Sequence, residues 1–302
     1  MCKIIRKFFA NNPNVKYTIK NMLGKGCVYN VYNTKYNKNC LLVYITHPFN
    51  KEVDFFHQAI WQARILANSI SKKGYNIDII DYDNRIIDLK NSYDLVINMV
   101  PGQNNVFHKK KRPNCKEIAY FTGSNPSFQN NAELQRLEAL ESRKSVRLKA
   151  RRVAPLLTKE VEGYTAAFMI GNEYNWKTFN EFKMPPVYFI KNTGNQFTYT
   201  FDDTKKDRNC FLYFGSSGQV HKGLDLLLEI FSRKGFPCEL YVCGTFKSEN
   251  DFEELYKKEL YETENIHPIG FVNVDSDLFV EITSKCVYSI MPSCSEGLLD
   301  RF

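Results

Sequence analysis

The 302 residues carry a net charge of +8, with 43% hydrophobic and 25% charged side chains. Those proportions exclude a disordered or fibrous chain and leave room for two domains of ordinary size. No apolar run approaches the ~18 residues that a membrane-spanning helix needs. The nine cysteines are odd in number and contain no CxxC pair, so they read as reduced thiols of a cytosolic protein and supply no metal site.

The N-terminus, Met-Cys-Lys-Ile-Ile-Arg-Lys-Phe-Phe-Ala, is basic and apolar but lacks the long hydrophobic core and small-residue cleavage site of a secretory signal. Residues 1–36 read as a lead segment, either a loose start or a first helix. The alternative is a basic amphipathic foot on an anionic membrane, at its inner face. From Cys40 to Ile45 a continuous apolar run suits a strand buried on both faces of a parallel sheet. Asn50 is predicted to cap a helix reaching Lys73, with Val53, Phe56, Ile60, Ala63, Ala67 and Ile70 at helical spacing and Gly74 as its stop.

Strands follow at Asn76–Ile80, at Tyr93–Val100 before Pro101-Gly102, and at Lys116–Phe121. A charged helix is predicted over Asn131–Lys149, then strands at Ala166–Ile170 and Pro186–Ile190. This alternation implies a doubly wound domain over residues 37–200. The polar segment Lys191–Asn209 reads as a linker. A second alternating series then runs through strand Cys210–Phe214, helix Leu224–Phe231, strand Cys238–Cys243, a helix over Asn250–Tyr261, a strand at Ile269–Phe271, helix Leu278–Thr283 and strand Cys286–Ile290. Residues 201–302 make a second, shorter Rossmann-like domain.

Two basic stretches, His108–Arg112 and Arg143–Arg152, read as a solvated loop and a solvated helix face, or else as attractors of phospholipid, diphosphate or nucleic acid. Neither carries the interleaved aromatics that stacked bases want, which argues against nucleic acid. The sharper signal is Phe-Leu-Tyr-Phe-Gly215-Ser216-Ser217-Gly218-Gln-Val-His-Lys222-Gly223-Leu-Asp225. A strand runs into a loop with Gly215 and Gly218, and the loop ends in a lysine where a helix begins. Glycines permit close approach of a ligand, and a helix start with a lysine favours an anion. A plain turn with a surface lysine is the competing reading.

The run from Phe214-Gly215 to Lys222-Gly-Leu-Asp-Leu-Leu-Leu-Glu-Ile-Phe231 resembles the donor-binding start of the second domain in group 1 (family 4 type) glycosyltransferases. Ile-Met-Pro-Ser-Cys-Ser295-Glu296-Gly297 resembles their P-S-x-x-E-G loop, and Ile266–Val272 matches the strand and loop between the two. Ala119–Leu134 is similar to a surface-polysaccharide branch of these enzymes. The resemblance implies a GT-B architecture of two Rossmann-like domains, an acceptor-side first and a nucleotide-sugar-binding second. It implies a nucleoside-diphosphate sugar as donor, a glycan or lipid-linked acceptor, transfer with retention, and no metal or other cofactor.

By that resemblance Lys222 holds the donor diphosphate, with Gly215, Ser216, Gly223 and Ser295 around it. Glu296 matches the first glutamate of the family's E-x7-E pattern. Ser216 and Ser217 stand where the family often has an arginine, so one diphosphate charge is missing or supplied elsewhere. The second glutamate would fall beyond Phe302, which suggests that the second domain is incomplete and leaves a non-catalytic sugar-nucleotide or glycan-binding remnant as the alternative. An epimerase on the same fold would need acid–base carboxylates that the sequence does not identify.

In the first domain, His47 at the end of the first strand is either an acceptor-site group or a helix cap. Thr122-Gly-Ser-Asn125 offers hydroxyl and amide groups to a sugar, or forms an N-cap turn. Asp275-Ser-Asp277 has the spacing of a metal-binding DxD, but Asp275 reads as the cap of the following helix. Asp81-Tyr-Asp83 follows no G-x-G-x-x-G and reads as a solvated strand end.

Overall fold

The computed structural model describes residues 12–49, 58–194 and 203–296. The expected cap at Asn50, the apolar positions Val53 and Phe56, and the tail after Glu296 lie outside the described residues. In chain order the helices are α1 (Pro13–Met22), α2 (Gln58–Ser71), α3 (Pro126–Lys144), α4 (Glu173–Lys177), α5 (Leu224–Phe231), α6 (Asn250–Leu255), α7 (Lys257–Tyr261) and α8 (Asp277–Lys285). The strands are β1 (Cys27–Val28), β2 (Lys38–Tyr44), β3 (Tyr75–Asp81), β4 (Tyr93–Asn98), β5 (Lys111–Phe121), β6 (Ala166–Ile170), β7 (Val187–Ile190), β8 (Asp207–Gly215), β9 (Glu239–Gly244), β10 (Ile266–Gly270) and β11 (Cys286–Ser289).

The contacts divide the chain into two compact units, one running up to Asn125 and resuming at Leu157, the other made of Pro126–Leu156 and the residues from Gln196 to Glu296. Part of the expected lead segment is therefore built into the first unit. There β1 pairs antiparallel with β3, and Tyr17 of α1 is buried while bonding Asp81 and Asp83. Asp81 is no solvated strand end: it accepts the Thr46 amide at 2.8 Å and the Lys20 ammonium at 2.9 Å.

The first sheet has the order β1-β3-β2-β4-β5-β6-β7, parallel except at β1. The apolar run of β2 is buried on both faces: Cys40, Leu42 and Tyr44 meet Ala63 and Ala67 of α2, while Leu41 and Val43 face Tyr93, Val96 and Phe107. Gly74 ends the α2 region at φ +86, as expected of a residue free to be left-handed.

The second sheet has the order β10-β9-β8-β11, parallel throughout. Here β8 sends Tyr213 to the side of Leu224, Leu227 and Leu228 of α5, and Cys210 and Leu212 to the side of Phe279 and Ile282 of α8. Alternate residues of one strand thus bury against helices on opposite faces, the pattern that makes a parallel sheet's strands read as apolar runs. The linker expected to reach Asn209 ends earlier, because Asp207–Asn209 already belong to β8. The helix expected over Asn250–Tyr261 is broken at Tyr256, which is buried between α6 and α7.

Helix α3 and the segment after it lie inside the span 37–200 expected for the first domain, yet they group with the second unit. Leu137, Leu140 and Leu148 join the cluster of α5, β8 and β9. The basic stretch Arg143–Arg152 is accordingly only in part a solvated face: Arg147 and Lys149 are exposed, but Arg143 pairs with Asp225 at 2.7 Å and Glu229 at 3.0 Å, and Lys144 with Glu259 at 2.9 Å. The His108–Arg112 stretch is also largely paired, Lys111 with Glu117 at 2.7 Å and Arg112 with Asp94 at 3.0 Å.

Leu228 is fully buried within the α5 cluster. Leu228→Ala should lower the stability of the second unit by about 2–5 kcal/mol, the range for a buried leucine that leaves a cavity. Urea unfolding followed by a probe in that unit reads it, and a loss under about 1 kcal/mol would mean that α5 does not seat there.

Candidate functional site in the second unit

In the second sheet the chain moves outward from β8 to β9 and β10, then returns to the other side of β8 with β11. The order reverses between β8 and β11. At such a switch point the loops after two neighbouring parallel strands part in opposite directions and leave a crevice at the carboxyl ends. The loop after β8, ending in α5, and the loop after β11, residues 290–296, both open there.

Lys222 comes from the first loop and Glu296 from the second, and Nζ lies 2.7 Å from Oε1. Lys222 is only 6% exposed. An ammonium so buried is tolerable only with a partner, since its desolvation costs several kcal/mol. Burial raises the Glu296 carboxyl, but Lys222, with Arg152 and His221 adding to it, holds it below the ordinary carboxylate range. Ser293 Oγ also donates to Glu296, at 3.1 Å.

Gly223 shows why the lysine is followed by glycine. Its φ is +79, and a Cβ there would meet the Pro292 carbonyl oxygen at 2.5 Å. A side chain would strain the backbone and push the two loops apart. Gly218, at φ +93, lies under the Arg152 side chain, whose Cγ a Cβ would meet at 2.5 Å. Gly215 ends β8 in register with Gly244 of β9, and Ser216 and Ser217 are exposed beyond it.

Two buried carboxylates that the sequence reading missed shape this loop. Glu249 accepts the Gly218 amide at 2.6 Å and the Gln219 amide at 3.3 Å, and pairs with Arg151 at 2.9 Å. Part of the loop's amide nest is therefore filled by the protein's own carboxylate. Glu133 of α3 accepts the backbone amides of Arg151 and Arg152 at 2.6 and 2.7 Å. Its second role is toward His221, whose Nδ1 lies 3.7 Å from Oε2. The same nitrogen is 3.5 Å from Cys294 Sγ, and His221 Nε2 meets the Ser295 carbonyl at 2.6 Å.

That carbonyl can only accept, so Nε2 carries a proton. Burial lowers the His221 imidazole, but Cys294, Glu133 and the Ser295 carbonyl outweigh it and bring its pKa up to about 9. A positive ring thus stands next in sequence to Lys222. Arg152 adds a third cation: it acts on Glu296, and its Nε makes no hydrogen bond among the described residues. This cation comes from the segment after α3 and stands over the loop in which Ser216 and Ser217 carry no charge. Its only signal in the sequence was the Arg143–Arg152 run.

Of the expected site residues, Gly215, Ser216, Lys222, Gly223, Ser295 and Glu296 come together on these two loops. Ser295 is buried, its backbone engaged with His221. His47 belongs to the first unit, exposed on a single 3-10 turn, His47–Phe49, after β2. Thr122–Asn125 is a structural turn of that unit: Asn125 donates to Glu181 at 2.9 Å, and Ser124 accepts from Asn175 at 2.9 Å. The cap of α8 is Ser276, which accepts the Phe279 amide at 3.3 Å, and not Asp275. Among the described residues no group of His, Cys, Asp and Glu is arranged to hold a metal.

No protein-family model matches the chain, and no curated protein matches it by sequence. Solved structures do. The lipopolysaccharide outer core galactosyltransferase WaaB, in its apo form, is 12% identical over 85% of this chain and 74% of its own, with a TM-score of 0.52. HepE from Anabaena, in complex with UDP and glucose, is 10% identical over the same shares, 85% and 74%, at a TM-score of 0.45. A variant of TarM from S. aureus, in complex with fondaparinux, alpha-GlcNAc-glycerol and UDP, is 12% identical at a TM-score of 0.42; the match takes 68% of this chain and only 38% of TarM's length. The fold is that of the GT-B glycosyltransferases, with Rossmann-like units of parallel α/β structure.

The electrostatics give a pH window. His221 is raised above its ordinary 6.5, so its contribution to stability is complete below pH 6.5 and is lost as the pH climbs through about 9. Glu133 and Glu296 are held low, so theirs is present above the ordinary carboxylate range and lost in acid. The urea midpoint of the second unit should therefore fall between pH 6.5 and 9, and the fall should shrink in Glu133→Gln. A midpoint constant up to pH 9.5 would remove the imidazolium from this site.

Proposed function

We propose that the second unit binds a nucleoside-diphosphate sugar with its diphosphate at Lys222, and that the protein transfers the sugar, with retention, to a glycan or lipid-linked acceptor in surface polysaccharide synthesis. The observation that carries this reading is the buried Lys222–Glu296 pair at the switch point of the second sheet. The GT-B fold makes that crevice the natural place for a nucleotide.

On this reading the pair is a resting arrangement that donor binding rearranges. The diphosphate replaces the Glu296 carboxylate as the partner of Lys222, and Glu296 turns to accept hydroxyls of the donor sugar. Lys222, Arg152 and the start of α5 then face the diphosphate as it leaves, and stabilise the charge that develops on it when the glycosidic bond breaks. Gly218 and Gln219 are not available to it, because Glu249 holds their amides. No side chain is asked to act as a covalent nucleophile, and the cations take the role that a metal would otherwise fill.

Uridine or guanosine diphosphate sugars are the expected donors. Lys222→Ala should lose ~1.5–3 kcal/mol of UDP affinity, roughly 10- to 150-fold, the range for a hydrogen bond to a charged group. Arg152→Ala should weaken UDP more than UMP, and chelator should leave binding unchanged. Calorimetry reads all three. An unaltered affinity in Lys222→Ala, or binding that needs manganese, would overturn the assignment.

A further inference from the structure

The two loops hold a nucleophile that sugar transfer does not use. Among the described residues the partly exposed cysteines are Cys115, Cys238 and Cys294. Cys294, on the loop after β11, puts its Sγ 3.5 Å from His221 Nδ1, and its amide donates to the His221 carbonyl at 2.9 Å. The ring is 1% exposed, with Nε2 held on the Ser295 carbonyl, so the pair has a buried base and an open sulfur. Glu133, 3.7 Å from Nδ1, backs the ring from α3. Cys115 differs: burial and Glu117 push its thiol up to about 11.

Cys294 also lines a cavity of about 560 Å³ with Phe128, Asn131, Ala132, Gln135 and Arg136 of α3. That volume suits a small molecule. Phe128 gives it an exposed apolar wall, and Asn131 and Gln135 add exposed amides. Arg136 brings a positive charge. Its Nη2 donates to the Pro292 carbonyl at 2.8 Å, while Nη1 is buried with no hydrogen-bond partner among the described residues. A buried N–H left without an acceptor is costly, and a guanidinium bonds carboxylates strongly.

We propose that Cys294 is a thiol–disulfide exchange site, which takes a small disulfide bearing carboxylates into this cavity and becomes a mixed disulfide. Thiolate is the attacking form, and an imidazolium beside a cysteine favours it. With the thiol proton on Nδ1, and Nε2 keeping its own toward the Ser295 carbonyl, the ring is positive and Sγ is a thiolate. Sγ bonds one sulfur of the incoming molecule as the S–S bond breaks, and the departing thiolate takes the proton from Nδ1. Cys294 is oxidised as the departing half is reduced, so no further oxidant enters. Glu133 steadies the ring charge, and Arg136 meets a carboxylate of the incoming molecule. The exchange is independent of whether a nucleotide binds at Lys222.

The test incubates the folded full chain with oxidised glutathione, quenches with acid, and follows each cysteine by peptide mass mapping. Cys294 should gain glutathione at least about tenfold faster than Cys115 or Cys238. His221→Gln should slow Cys294 by about tenfold or more while leaving Cys115 and Cys238 at their wild-type rates, which separates the loss of the imidazole from a folding defect. Arg136→Gln should slow glutathione but not cystamine, a disulfide that carries ammonium groups instead of carboxylates. Comparison of the two disulfides within one variant does not depend on how stable that variant is. Wild-type Cys294 reacting no faster than Cys115 and Cys238 would overturn the proposal. So would an unchanged Cys294 rate in His221→Gln, or an Arg136→Gln variant slowed equally toward both disulfides.

Discussion

A buried ammonium needs a carboxylate, and much of the second unit is arranged to provide one for Lys222. The lysine sits where β8 gives way to α5, with its head group turned in from solvent. A residue from the neighbouring strand's loop reaches it there. Because β11 adds to β8 on the side away from β9, the loop bearing Glu296 arrives at that point. The strand order, the glycine at position 223 and the proline carbonyl packed on it all serve one close approach of two loops. An electrostatic demand and a topological rule meet at the same pair of side chains, and a ligand of the right charge can take over the role of either one.

Around this pair the protein spends further buried charge. Glu249 fills amides of the β8–α5 loop, and Glu133 orders the backbone of Arg151 and Arg152 while facing His221. Carboxylates of this kind are costly to bury unless each oxygen is satisfied. Here backbone amides and cations do so, and the loop is fixed before any ligand arrives. Preorganisation of that sort lowers the cost of ordering the site on binding. It also explains the arginines after α3: Arg151 and Arg152 are held by, and face, the buried carboxylates Glu133, Glu249 and Glu296.

Much of the architecture was legible in the residues. Continuous apolar runs such as Cys40–Ile45 marked doubly buried strands, β6 was placed at its observed bounds, and α5 was bounded correctly because an apolar helix follows a glycine directly. Motif resemblance assigned Lys222 and Glu296 to one donor site, but the ion pair between them was not legible in the residues. Other features were invisible for physical reasons. A two-residue strand such as β1 has no periodicity, and it forms because β3 offers a free edge. The charges of α3 and of the segment after it looked solvent-facing because their partners, Asp225, Glu229, Glu249 and Glu259, lie 82 to 115 positions away in sequence. Asp275 lost the capping position to Ser276, a neighbour whose hydroxyl reaches the amide three residues on. Arg152 was missed because no local pattern distinguishes an arginine that turns inward from one that points to solvent.

The central claim concerns where a nucleoside diphosphate sits, and a crystal structure of the chain soaked with UDP tests it most directly. The diphosphate is expected within hydrogen-bonding distance of Lys222 Nζ, with the Glu296 carboxylate moved off the lysine and the Glu249 bonds to the Gly218 and Gln219 amides intact. UDP bound elsewhere, with the Lys222–Glu296 pair undisturbed at its 2.7 Å separation, would contradict it.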